Sequence, residues 1–267
     1  MTEPVCLTSA LELDTSQTTI LNSVRSVVAQ FDDDYWLQLD RTGEFPHAFY
    51  DEMAKGGWLG IAMPEEVGGA GLGIFEAALI MHTVANSPGG MSAASAIHIN
   101  IFGPHPIVVH GTEDQKREWL PELIQGRSKC CFGVTEPDSG LETGSIQTFA
   151  QPDDDGYIVT GQKIWTSTAQ HADKIMLLAR TTPKELCQRA TDGLSLFFTD
   201  LDKRFVEVRE IPKMGRSAVD SNLVFFDGLP VPRKDLIGEE DRGFEYILNG
   251  FNPERILIGA EALGIGV

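Results

Sequence analysis

From Thr15 to about Ser128 the apolar positions recur at helical spacing. Between Thr18 and Phe31 the residues Ile20, Leu21, Val24, Val27 and Val28 fall on one face, which predicts an amphipathic helix. A strongly apolar helix is predicted from Ile74 to Val84, after the loop Met63 to Gly73. The glycines of that loop fit neither phosphate-binding fingerprint and follow no clear strand, so they read as a turn. Thr112-Glu113-Asp114-Gln115 is a capping box that opens a helix, and Gly126 is its C-terminal glycine. From Cys130 the period changes. Strand patterns run over 145–150, 157–165, 174–180, 194–199 and 223–226, with Asp153-Asp154-Asp155-Gly156 as a turn between the first two. Strands unbroken by helices predict an antiparallel sheet or barrel. After Gly243 helical spacing returns, and Asn252 is placed to cap a new helix with Pro253 in its first position. The class is α+β, with a helical domain over 1–128, a middle β domain over 129–240 and a helical segment over 241–267.

Composition narrows the partners. At 267 residues the chain exceeds one typical domain. Its net charge of -18 argues against nucleic acid and anionic membrane, which carry the same sign. It does not exclude a phosphorylated ligand, since Lys213, Arg216 and Arg233 can hold phosphates locally or serve only as solvated loop charges. No apolar run reaches transmembrane length, and neither Met1-Thr2-Glu3-Pro4 nor the acidic Asp32-Asp33-Asp34 resembles a signal or transit peptide. A cytosolic protein is expected. Cys6, Cys130, Cys131 and Cys187 lack metal spacing and read as reduced, structural thiols. His98, His105 and His110 form no His-Glu-x-x-His pattern, so packing or surface roles are expected and no metal site.

Two segments carry the candidate chemistry. Phe132-Gly133-Val134-Thr135-Glu136-Pro137-Asp138-Ser139-Gly140 ends an apolar stretch in a polar turn, and Lys163-Ile164-Trp165-Thr166-Ser167 closes the longest strand pattern. Each sets short hydroxyls and free amides at a strand end, and the second adds an indole. Such a set suits a flat ring with a polar edge, such as a flavin: hydroxyls and amides bond the edge while tryptophan covers a face. Taken singly, Trp165 reads equally as a sheet-edge aromatic and Thr135 as a turn hydroxyl.

These two segments resemble the FAD-dependent acyl-CoA dehydrogenase family. So do Gly111-Thr112-Glu113-Asp114-Gln115-Lys116, Pro230-Val231-Pro232-Arg233-Lys234-Asp235-Leu236-Ile237-Gly238 and Asn252-Pro253-Glu254-Arg255-Ile256, in the same order along nearly the whole chain. The resemblance implies FAD as cofactor and α,β-dehydrogenation of an acyl-CoA thioester. A carboxylate takes the α-proton, the β-hydrogen leaves as hydride to flavin N5, and hydrogen bonds steady the enolate-like carbonyl. It further implies a separate electron acceptor such as an electron-transferring flavoprotein, and a homo-oligomer at full length. A flavin oxidase or monooxygenase on the same fold, or a non-catalytic truncated relative, are the other readings.

Carried over by position, the resemblance places Phe132, Val134, Thr135, Trp165, Thr166 and Ser167 at the flavin, with Thr166 near its reactive edge. Leu141 stands where many members have a substrate-binding serine and cannot make that hydrogen bond. Most members carry the base further along the C-terminal domain, but a subset place it where Glu254 stands, with Asn252 and Arg255 as substrate-side or structural neighbours. A glutamate in a first helical turn is also favoured by the helix dipole alone, which would lower its pKa, whereas a dry acyl pocket would raise it. In this family the last helix begins a four-helix bundle, so the chain contains only the start of that bundle and reads as a fragment. On that reading Ile256, Leu257, Ile258, Leu263, Ile265 and Val267 are left uncovered. A helix docked wholly on the first two domains is the other possibility.

Overall fold

The computed structural model describes residues 12–267. Its first half is helical: α1 (Thr15–Val28), α2 (Asp33–Thr42), α3 (His47–Lys55), α4 (Ile74–Ala85), α5 (Gly90–Phe102), α6 (His105–His110) and α7 (Glu113–Ile124). The starts follow from capping. Asp14 and Gln17 form one capping box at α1, and Thr112 and Gln115 form the expected one at α7. Gly126 takes the left-handed conformation just past α7, as a terminating glycine should. Val24, Phe49, Met53, Ile80, Ile97 and Leu120 are fully buried in the core these helices share.

The second half is an eight-stranded sheet: β1 (Cys130–Gly133), β2 (Phe149–Asp153), β3 (Gly156–Ser167), β4 (Lys174–Arg180), β5 (Leu194–Asp200), β6 (Val206–Glu210), β7 (Ser221–Pro232) and β8 (Leu236–Ile237). The order β6-β7-β3-β2-β4-β5-β8, with β1 on β4, leaves the sheet open. Most pairings are antiparallel as expected, but β1 and β2 both run parallel to β4, so the sheet is mixed. The strand β6 was not legible because Val206-Glu207-Val208-Arg209-Glu210 is a short, largely exposed edge. Cys130 and Cys131 are fully buried, and burial pushes both thiols up, Cys130 to about 12, which suits a structural role. Cys6 lies outside the described residues. Among these residues no helix is long and apolar enough to cross a membrane.

The last helix departs from expectation. It is a single α8 (Gly243–Ile265) with Pro253 inside it, and Asn252 caps nothing. Its start is set by Gly243, where a Cβ would lie 2.4 Å from the carbonyl carbon of Ser195 on β5. Near its end Gly264 meets α4, where a Cβ would lie 2.3 Å from the His82 carbonyl oxygen. Leu257 is fully buried between these anchors rather than uncovered. Ile256, Leu263, Ile265 and Val267 face solvent, Leu263 at 56% exposure, and Ile258 is half-buried.

Candidate active site

A cavity of about 290 Å³ opens where α5, α8 and the ends of β1 and β3 meet. Five of the six residues expected at a flat ring gather there with the expected base: Phe132, Val134, Thr135, Trp165, Ser167 and Glu254 all line it. A neighbouring cavity of about 620 Å³ shares Gly140, Thr143, Phe251 and Glu254 and adds Leu141 and Arg255. Glu254 therefore borders both spaces. Asn252 lines neither; it is exposed and accepts a 3.0 Å hydrogen bond from Arg255 Nη1.

Thr166 does not reach the cavity. Side chains alternate across a strand, so consecutive residues cannot share a face unless a bulge intervenes. The register of β3 against β7 shifts between Lys163 and Thr166, and Trp165 there adopts a left-handed φ of 61°. The bulge brings Ile164 and Trp165 to the cavity side together, after which Ser167 faces it and Thr166 faces the opposite way. Thr166 is buried, its hydroxyl unpartnered, and its carbonyl accepts from Asn222 Nδ2 at 2.8 Å. Ser167, not Thr166, is the hydroxyl that accompanies the indole. Trp165 is 59% exposed, although large aromatics normally bury their faces. A left-handed tryptophan stores about 1–3 kcal/mol of strain, a pattern that clusters at functional sites.

The two segments are held together by a buried charge pair. Lys163 is fully buried; its Nζ donates to Glu136 Oε1 at 2.8 Å and to the Val134 carbonyl at 3.0 Å. Glu136 also accepts from the amides of Gln147 at 2.7 Å and Thr148 at 2.9 Å. Burial lowers Lys163 to about 8 despite its partner. Burial acts upward on Glu136, yet Lys163 and the amides hold its carboxyl below the ordinary range. Ile164 N donates to the Thr135 carbonyl at 2.9 Å, closing the joint between turn and strand. Arg180 braces the wall behind it, donating to the carbonyls of Gly144 at 3.0 Å and Ile146 at 3.2 Å.

The floor of the cavity is polar in a way the sequence did not show. His98 on α5 lines it, with Nδ1 at 3.0 Å and 3.3 Å from the two carboxylate oxygens of Glu261, which is fully buried on α8. Arg216 also lines it, donating to Ser95 Oγ and Ser221 Oγ at 2.9 Å each, so it is no solvated loop charge. Arg233 lies elsewhere, 5.3 Å over the Tyr157 ring. Glu254 is not in a first helical turn, so the dipole argument lapses. Burial raises its pKa, with His98 and Arg255 opposing and Glu261 adding to the rise. His98 and Glu261 are 163 residues apart, and no local motif announces a pair at that separation.

A helical layer, an open mixed sheet and an acid-bearing helix across the cavity between them make up the acyl-CoA dehydrogenase fold. The family model of the acyl-CoA dehydrogenase N-terminal domain matches residues 14–127, and that of the middle domain matches residues 131–229. Acyl-CoA dehydrogenase FadE12 of Mycobacterium tuberculosis is 31% identical over 270 residues, covering 97% of this chain and 65% of that protein. An acyl-CoA dehydrogenase of Bacillus subtilis is 31% identical over 228 residues, 85% of this chain and 59% of that one. Butyryl-CoA dehydrogenase from Megasphaera elsdenii superposes with a TM-score of 0.88 at 25% identity, over 95% of this chain and 66% of that structure. The chain belongs to the acyl-CoA dehydrogenase family. It spans 65% of the length of FadE12.

Proposed function

We propose that this chain forms the flavin and acyl side of an FAD-dependent oxidoreductase that dehydrogenates acyl-CoA thioesters between Cα and Cβ. One observation carries the reading: a carboxylate, Glu254, and an exposed indole, Trp165, line one cavity from opposite elements. The donor set fits a flavin, since Thr135 and Ser167 supply hydroxyls beside that indole. FAD, when bound, supplies the two-electron acceptor chemistry. Trp165 covers an apolar ring face, Thr135 and Ser167 bond the polar edge, and the aromatic wall of Phe102, Phe132 and Phe251 excludes water. Glu254 Oε accepts the α-proton, and its raised pKa makes it a stronger base than a solvated carboxylate. The larger cavity beside Leu141 and Arg255 receives the rest of the acyl-CoA.

The relatives' printed activities support this class and widen it. Acyl-CoA dehydrogenases stand beside a 3-(aryl)acrylate reductase of Clostridium sporogenes and an NADH-dependent acryloyl-CoA reductase of Anaerotignum propionicum. All three chemistries concern one Cα–Cβ bond. PigA, solved with FAD, shares the fold at 23% identity. A separate electron acceptor, such as an electron-transferring flavoprotein, and assembly as a homo-oligomer belong to the same proposal. The test is Glu254→Gln, mixed anaerobically with an acyl-CoA that bleaches the wild-type flavin. Flavin content should hold while bleaching slows by about 10²–10⁴-fold. Near-normal bleaching would refute Glu254 as the base. Oxygen consumption on turnover would point to an oxidase, and failure to retain FAD to a non-catalytic relative.

A further inference from the structure

We propose that His98 and Glu261 form a positioning pair that sets the charge state of Glu254 from beneath the cavity floor. The inference rests on Glu254 as the base proposed above, but the coupling itself can be read without turnover. On α8, Glu254 and Glu261 lie two turns apart, which puts both carboxylates on one face. The like charge of Glu261 works against ionisation of Glu254. That deeper carboxylate is taken up by His98, whose Nδ1 lies 3.0 Å and 3.3 Å from its two oxygens. Glu261 is fully buried and His98 nearly so, and Glu261 has no other hydrogen-bond partner among the described residues. A carboxylate so placed contributes through charge and orientation, because it is fully buried and lines neither cavity.

His98 does border the cavity, as does Glu254. With Nδ1 engaged by Glu261, Nε2 is the ring's remaining polar atom. The charged groups acting on Glu254 are His98 on α5 and Arg255 and Glu261 on α8; Arg216 of the loop before β7 lines the same cavity. His98 and Arg255 favour the ionised form; Glu261 opposes it. The pair therefore works in two directions. His98 keeps Glu254 available as a base, and Glu261 limits that effect while anchoring the ring.

The experiment is a carbon-13 NMR titration of the full chain with labelled glutamate carboxyls, Glu254 being assigned by its loss in Glu254→Gln. In His98→Gln the Glu254 midpoint should move up. In Glu261→Gln, which removes the like charge but keeps an acceptor for the ring, it should move down. A purely structural role would not give shifts of opposite sign. Equal midpoints, or two shifts in one direction, overturn the proposal, and either variant alone suffices if the other does not fold. The same variants are then followed by flavin reduction against pH. If the NMR midpoints move and the acid limb of reduction does not, the pair stands and Glu254 is not the base.

Discussion

Lys163→Met tests the joint on which the candidate site depends. The substitution keeps most of the side-chain length but removes the charge, leaving the nearly buried Glu136 with only the amides of Gln147 and Thr148. It also strips the Val134 carbonyl of its donor. Breaking a buried pair by removing one partner costs about 3–5 kcal/mol. At about 2–4 °C per kcal/mol, the melting temperature should fall by roughly 6–20 °C. The same lysine predicts a pH signature. Burial brings it to about 8 from an ordinary 10.5, so between those values the unfolded chain holds the extra proton. The lysine's own contribution should therefore rise with pH across that window, so the wild type gains on Lys163→Met there, while the raised thiols of Cys130 and Cys131 pull the other way in both proteins above about 9. Glu136, held low, contributes in the opposite range, its share being lost as pH falls below the ordinary carboxylate value. Calorimetry of both proteins between pH 7 and 11 reads the lysine's share, and below pH 4.5 that of Glu136. A melting shift under about 2 °C, or a difference between the two proteins that stays constant from pH 8 to 10.5, would refute the account of this pair.

Three further outcomes follow from named contacts. Trp165→Ala should lower flavin occupancy of the purified protein while leaving its melting temperature nearly unchanged, because the exposed indole contributes little to the core; unchanged occupancy and spectrum would remove Trp165 from the site. Gly264→Val should destabilise by about 1–3 kcal/mol, since its Cβ would meet the His82 carbonyl, and hydrogen exchange should quicken along α8 before the sheet. For flavin reduction by an acyl-CoA, the acid limb should lie above the ordinary carboxylate range, because burial raises Glu254 and only its ionised form takes a proton; a limb at or below pH 4.5 would contradict that.

What the sequence disclosed about this fold was what depends on local order. The capping box at Thr112, the left-handed Gly126 and the turn at Asp153 to Gly156 each act within a few residues, and each stands where the pattern put it. The parallel pairing of β1 with β4 depends on which distant strands meet, and alternation within a strand is silent on that. The start of α8 was misplaced because Asn252-Pro253 is a sound initiation signal, yet tertiary contact outweighed it. Gly243 against β5 and Gly264 against α4 bind both ends of one longer helix, and Pro253 is carried inside it.

The site divides along the same line. Phe132, Thr135, Trp165 and Ser167, expected from short motifs, line the cavity, whereas Thr166, expected beside them, does not, because that expectation assumed a regular strand. An irregular one was needed: a bulge that turns Trp165 through a left-handed φ moves every later side chain to the other face. Residues that work through distant contacts left no local trace. Glu261 reads as one more polar position in an apolar helix, and His98 as a packing histidine, until α5 and α8 are brought together. The motif residues line the cavity, and the unheralded pair lies at its floor. A search by motif therefore recovers the surface of this cavity and misses the buried pair beneath it.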